Sequence, residues 1–500
     1  MACAAASLLA AAPWAGAVED LTPRPPPRTI DDITKQLEHY KPDPGAAAKA
    51  LEEANLQPPE GADDATLFSF YWKRASAAIK VGRVSQQIND LRKAVELGKG
   101  KTTDDYARVL QELSGAESNG GNLLRSIESA EAALKAVPAN TKGLQLSIHQ
   151  GLVAQYGNIG NFEGAAAELR DVEGLISVLR GGKNYMYFEA DWNAKTERAR
   201  GESFKAQGRM LEAEGAYRKA LRWIESSISQ VKAGGTFPNS GPNMLNNSER
   251  LRENIERNIG QSLVAQGKLV EGEIFIRQAL RHSLERVGRG STDTGLGLLQ
   301  LANVIAEEDR YPEAIRLSEE AIRSIQEAGA APESTTLANA RKSLAITLVA
   351  QQRYGDAIKA FEEMRQGLQQ DPELAKRYAS GDLDWVLAML RTRNVNGAET
   401  MARAMLEKSI RNFGEKGLKT AEIRAFHAMT LAGKGDHDTA RKAFQESLPI
   451  LIEQARTDED AGTGSAKHLR RLNTLIESYI HLLSEMGRHN PALRQEAAAE

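Results

Sequence analysis

The stretch from Leu298 to Met364 is one unit written twice. In the first copy Leu301 and Ala302 are followed by Ile305, Asp309, Ala314, Ser318 and Ala321; in the second, Leu344 and Ala345 are followed by Leu348, Gln352, Ala357, Phe361 and Met364. Counted from the Ala of each pair, the steps are three, four, five, four and three residues in both copies. Side chains three or four apart share a helix face, so each copy predicts two helices with facing stripes of small and apolar residues and a turn between them. A lone hairpin of this kind cannot bury its stripe, which leaves stacking of many such units as the stable arrangement.

The second helix opens Arg310-Tyr311-Pro312-Glu313-Ala314-Ile315 in one copy and Arg353-Tyr354-Gly355-Asp356-Ala357-Ile358 in the other, with the aromatic at the turn and the Ala where the helices touch. This resembles the tetratricopeptide repeat, whose pattern ends its first helix on an L-G-x2-Y run and carries A-x3-F in the second. Taking the touching residue as marker, copies recur at Gln87, Ser126, Ala165, Ala213, Gly272, Ala314, Ala357, Ala398 and Ala440, clearly in five units and degenerately in four. The intervals are 39, 39, 48, 59, 42, 43, 41 and 42 residues. The resemblance covers Thr66 to about Met486. It implies an all-α, right-handed superhelical solenoid of about nine antiparallel hairpins plus a final helix, with a period near 42.

Composition agrees. Aromatics make up 5% of the chain, and the alphabet favours helices meeting through small residues over strands. With 64 Lys and Arg against 67 Asp and Glu, the formal charge is -3, so no global field draws the chain to nucleic acid or an anionic membrane. Cys3 is the only cysteine, which excludes an intramolecular disulfide, a Cys-based zinc site and cysteine catalysis within the array.

The apolar run Ala4 to Trp14, followed by Ala15-Gly16-Ala17, reads as a signal peptide over 1–17, although a basic leading segment is missing. The expected location is periplasmic or secreted, with the cytoplasm as alternative. The run is too short to span a bilayer. A proline-rich linker and two short helices are expected over 18–65, an inserted loop at 230–248 where Gly234-Gly235, Pro238, Gly241-Pro242 and several Asn interrupt the helices, and a polar tail over 487–500. The final helix, Leu469 to Met486, has no hairpin partner, and an array ending so normally needs a cap or another domain against it. Pro27-Arg28-Thr29-Ile30-Asp31-Asp32-Ile33 and Lys41-Pro42-Asp43-Pro44, ahead of 42-residue repeats, resemble the amino-terminal arm of bacterial CHAT proteins. In that family the repeats precede a caspase-like peptidase domain with a His and a Cys. No Cys follows Cys3 here, so catalysis is not carried over: the chain is expected to be either the arm of a longer product or a free-standing relative.

Motifs for other chemistry fail on spacing. Gly98-Lys99-Gly100-Lys101-Thr102-Thr103 lacks the leading Gly and strand of a phosphate loop and reads as a turn between hairpins. His427 and His437 straddle one hairpin turn, and no His pair has metal-site spacing. No catalytic, cofactor or metal site is assigned.

In tetratricopeptide arrays the first helices line a concave groove that meets extended peptides. Counting from the small residue of each first helix, the outward positions are Lys195, Arg198 and Lys205; Asn254, Arg257, Asn258 and Gln261; Gln300 and Asn303; and Asn339 and Lys342. These donors match an acceptor-only anion such as a peptide carboxylate. Further on the same positions turn apolar, at Leu383, Leu387, Leu390, Phe426 and Met429, as expected of packing sites under a neighbouring element. The sequence reads as a non-enzymatic interaction scaffold binding protein or peptide segments, with a hydrolase of unrecognised site or a structural envelope component as alternatives.

Overall fold

The touching residues of the repeats are buried. In a computed structural model Ser126, Ala213, Ala314, Ala357, Ala398 and Ala440 are each 0% exposed. The structure describes residues 29–488 apart from 41–43, 121, 238–239, 370–371, 373, 376–380 and 461–465. The expected signal peptide, most of the proline-rich linker and nearly all of the polar tail lie outside the described residues.

Two short helices, α1 (Asp31–His39) and α2 (Pro44–Asn55), precede the array. Among the described residues nine hairpins follow. They are α3 (Asp64–Lys80) with α4 (Val84–Gly98), α5 (Asp104–Asn119) with α6 (Leu123–Ala136), α7 (Lys142–Asn158) with α8 (Phe162–Leu179), and α9 (Tyr185–Ala206) with α10 (Met210–Lys232). Next come α11 (Gly241–Ala265) with α12 (Leu269–Val287), α13 (Thr292–Glu307) with α14 (Tyr311–Glu327), and α15 (Thr335–Ala350) with α16 (Tyr354–Leu368). The last two are α17 (Leu383–Arg391) with α18 (Val395–Phe413) and α19 (Leu418–Gly433) with α20 (His437–Asp460), after which α21 (Ala466–Met486) stands alone. Among the described residues there is no strand. The fold is the right-handed superhelical solenoid that the repeat implied.

The fixed offsets have a backbone cause. Five residues before the touching residue, eight of the nine hairpin turns hold a residue with positive φ: Gly82, Gly160, Gly208, Gly267, Asp309, Gln352, Arg393 and Gly435. The ninth, Gly121, lies outside the described residues. The following amide then bonds back five residues, Arg310 to the Ile305 carbonyl at 3.1 Å and Arg353 to that of Leu348 at 2.8 Å. This left-handed cap ends the first helix and aims the second back along it. At the contact of α11 with α12 both touching residues are glycine: a Cβ on Gly260 would lie 2.6 Å from Ile276, and one on Gly272 would lie 2.7 Å from Val264.

Three expectations change. The interruption at 230–248 is mostly helix, since α10 runs to Lys232 and α11 starts at Gly241, leaving only 233–240 between them. Pro242 sits in the first turn of α11, where its missing N–H has no partner to lose and its fixed φ suits a helix. The two leading helices do not stand apart from the array: Ile30, Ile33 and Leu37 are buried in one cluster with Ile276, Leu280 and Leu284 of α12. The partnerless last helix is itself the cap. It buries Leu475, Tyr479, Leu482 and Leu483 in the cluster that holds Leu383, Leu387, Phe426 and Met429, and exposes Glu477 and His481 on its other face. The apolar C-terminal positions are therefore packing sites, as expected.

Candidate binding groove

The first helices of hairpins two to five, α5, α7, α9 and α11, together enclose a cavity of about 880 Å³. Six cations line it: Arg108 on α5, Lys142 at the start of α7, Lys183 before α9, Lys195 and Arg198 on α9, and Arg250 on α11. Asp191 is the one carboxylate among the described lining residues. One wall is aromatic. Phe188 stacks on Trp192 with centroids 5.2 Å apart, Tyr185 lies 6.0 Å from Trp192, and Phe237 from the 233–240 connection closes on Phe188 at 5.9 Å.

Pairing divides the cations. Lys195 is held by Asp191 at 2.8 Å, Arg198 lies 3.9 Å from Glu202, and Lys142 donates to Gln145 at 3.1 Å. Arg108, Lys183 and Arg250 form no ion pair within 4.0 Å among the described residues. Arg108 and Arg250 nevertheless act on Glu112. Burial pushes that carboxyl above its usual range, against the Trp72 indole N–H, which donates to it at 2.9 Å, and the pull of the two guanidiniums. A potential this lopsided in a partly enclosed space concentrates anions.

The outward positions expected from the sequence separate into three sets. Lys195, Arg198 and Asn254 line the cavity. Lys205, Asn258, Arg257 and Lys342 are tied to neighbours: Asn258 donates to Glu202 at 2.9 Å with Lys205 3.9 Å from the same side chain, Arg257 donates to Asn254, and Lys342 pairs with Asp382 at 2.8 Å. Burial also lowers the pKa of Arg257, whose charge is met by Asp293, Glu253 and Glu256. Asn303 and Asn339 are exposed, Asn303 accepting from the Ser343 hydroxyl, while Gln261 and Gln300 are half-buried. The acids are thus interleaved with the cations along this face. Arg108 and Lys142 stand on helices ahead of those whose outward positions the sequence pointed to, and Lys183, the aromatic wall and Arg250 stand N-terminal to Lys195 and Asn254, the first outward positions of α9 and α11. The same count along α5 and α7 would have reached Arg108 and Lys142.

Among the described residues, one group has metal-ligand geometry: donor atoms of His149, Glu168 and Asp171 lie within 4.8 Å of one another. The ring is already engaged, its Nδ1 2.6 Å from Glu168. Residues 98–103 form the turn expected, with Gly98 ending α4, Gly100 at positive φ and Thr103 capping α5.

Residues 293–370 match the tetratricopeptide repeat family, a span that coincides with α13 to α16, the two hairpins written most plainly. No curated protein matches the chain. Solved structures similar to it include BtubC (BKLC) from P. vanneervenii, at 17% identity and a TM-score of 0.33, covering 52% of this chain and 90% of that one. A Rap protein complexed with competence and sporulation factor is 12% identical with a TM-score of 0.41, over 75% of this chain and 99% of that one. A signal transduction ATPase with numerous domains and a tetratricopeptide repeat sensor, from Pyrococcus horikoshii, is 12% identical with a TM-score of 0.43, over 74% of this chain and 54% of that one.

Proposed function

We propose that this chain is a non-enzymatic interaction scaffold whose concave groove takes up an extended acidic polypeptide segment between α5, α7, α9 and α11. The observation that carries the reading is the charge of the cavity, six cations to one carboxylate on a chain whose net charge is -3. An acidic segment supplies acceptors to unpaired guanidinium and ammonium groups, and the stacked aromatic wall offers a flat surface for an apolar side chain beside the acids. The groove ends where α21 fills the space over α17 and α19, so the segment lies on the N-terminal half.

Titration with a fluorescent peptide of alternating Glu and Phe, against its Gln counterpart, tests this. Each charge-assisted hydrogen bond contributes about 1.5 to 3 kcal/mol, so replacing Arg108 and Arg250 by Ala should weaken the Glu peptide at least about tenfold. Salt should weaken the wild-type complex more than the variant's. Equal affinity for the Glu and Gln peptides would refute the reading.

On the resemblance of residues 27–44, we further read the scaffold as the sensing arm of a CHAT-like protease. A peptidase His and Cys encoded downstream in the same reading frame supports that, and their absence there ends it. We also infer export from the 4–17 run, for which a mature protein starting at Val18 is the mark. An intact Met1 on the native protein in mass spectrometry would remove that inference.

A further inference from the structure

We propose that the surface formed by α12 to α14 is a docking site for a short amphipathic helix, and that α1 is its resident occupant, a clasp holding the first six hairpins in one closed turn. Each repeat of a solenoid ordinarily touches only its neighbours. Here α1 lies against hairpin five although 245 residues separate Asp32 from Arg277.

The site has an apolar floor and a polar lock. Ile30 and Ile33 are 0% exposed and Leu37 2%, all within the α12 to α14 cluster. Arg277, itself buried, is oriented by Glu273 at 2.7 Å and directs its remaining donors to α1, to the Asp32 carboxylate at 2.7 Å and the Thr29 carbonyl at 3.1 Å. The Arg289 amide donates to the Tyr40 carbonyl at 3.2 Å, holding the other end. The pattern recognised is an apolar residue, an acid two places on, then apolar residues three and seven places on, which is one helix face with its acid beside it.

The other half of the clasp is hairpin one. α2 is fastened to it by Gln86 donating to the Ala54 carbonyl at 2.6 Å and Arg74 to that of Leu56 at 2.7 Å. The α3–α4 turn in turn meets the α14–α15 connection, where the Ala331 amide donates to the Val81 carbonyl at 3.3 Å. Gly82 and Ser334 are so close that a Cβ on Gly82 would lie 2.8 Å from the Ser334 hydroxyl. Hairpin one thus closes on hairpin six, and the helices carrying the groove cations lie inside that closure. The consequence for ligand rests on the proposed acidic groove; the closure itself does not.

Small-angle scattering of the full chain, paired with circular dichroism, tests the clasp in the wild type, Ile33→Asp and Asp32→Lys. Ile33→Asp should raise the radius of gyration at unchanged helix content, and a synthetic peptide of residues 29–40 in excess should bind the surface that the variant vacates without restoring the wild-type value, because it carries no α2 to tie to hairpin one. Ile33→Asp should also weaken binding of the Glu and Phe peptide about tenfold. If Ile33→Asp loses helix, Asp32→Lys decides: repulsion from Arg277 should speed amide exchange across α1 and enlarge the molecule. Wild-type scattering in a variant whose α1 amides exchange freely would overturn the clasp, as would unchanged exchange in Asp32→Lys. Should wild-type protein ignore the acidic peptide while the scattering change persists, the groove reading fails and the clasp stands.

Discussion

Arg471 of the last helix donates to Asp384 at the start of α17 at 2.7 Å, across 87 residues of sequence. The same guanidinium reaches Glu422 of α19 at 3.1 Å and stands 3.9 Å from Asp382, which also holds Lys342 of α15. Four elements meet at one cation. Three acids converge there, so the guanidinium is held firmly charged despite the burial that opposes it.

Removing this cation leaves the acids partly buried without their partner. Arg471→Ala should destabilise the protein by about 3 kcal/mol, the lower end for breaking a buried pair. Chemical unfolding reads this, and a loss below about 1 kcal/mol would mean that water replaces the guanidinium.

The left-handed turns make a prediction of opposite sign. Arg393 has a φ of 64°, where most other hairpins place glycine. Arg393→Gly removes the Cβ strain and should stabilise by about 0.5 to 1 kcal/mol, net of the entropy glycine adds to the unfolded chain. A lower melting temperature would show that the arginine side chain outweighs its backbone.

Helix contacts should tolerate no added atoms. A Cβ on Gly201 would lie 2.4 Å from the fully buried Tyr217 ring, and Ala314 is 0% exposed. Gly201→Ala and Ala314→Leu should each cost about 1 to 3 kcal/mol by overpacking. Unchanged melts in both would place the helix contact elsewhere.

His427 gives a pH dependence. Burial holds its imidazole below the ordinary range, with Arg403 and Lys434 adding to that and Glu399 opposing it. Between the lowered folded value and about 6.5 the unfolded chain binds the proton more readily, so stability present above that window falls as pH drops through it. His427→Gln should flatten this slope when melts at pH 7.5 and 5.5 are compared. A slope identical to wild type would clear His427 of any part in it.

The hairpins were legible because their determinants are local. Small residues at fixed offsets, glycine turns and helical periodicity are all written within about 40 residues, and the nine markers fall where helices touch. Asp309 and Gln352 were recognised only as recurring positions, since neither residue type announces a left-handed backbone. What the sequence hid is long-range. Nothing in Lys342 points to Asp382, nor in Asp32 to Arg277, and so cations that read as an open face are half engaged. Arg108 and Arg250 are joined only by the curvature of the stack, which no helix records in its own spacing.

The constant five-residue step from left-handed turn to touching residue fixes one edge of the array flush. All variation in unit length falls on the opposite edge. There α9, α10 and α11, with 22, 23 and 25 residues, are longer than α13 to α16, with 15 to 17, by roughly 8 to 15 Å at 1.5 Å per residue. Tyr185, Phe188 and Met244, which line the cavity, all stand on this extra length. The solenoid thus carries a parapet on one rim only. Its height can change residue by residue at 233–240 without disturbing a single turn, so the depth of the cavity is free to vary while the stacking of the hairpins is not.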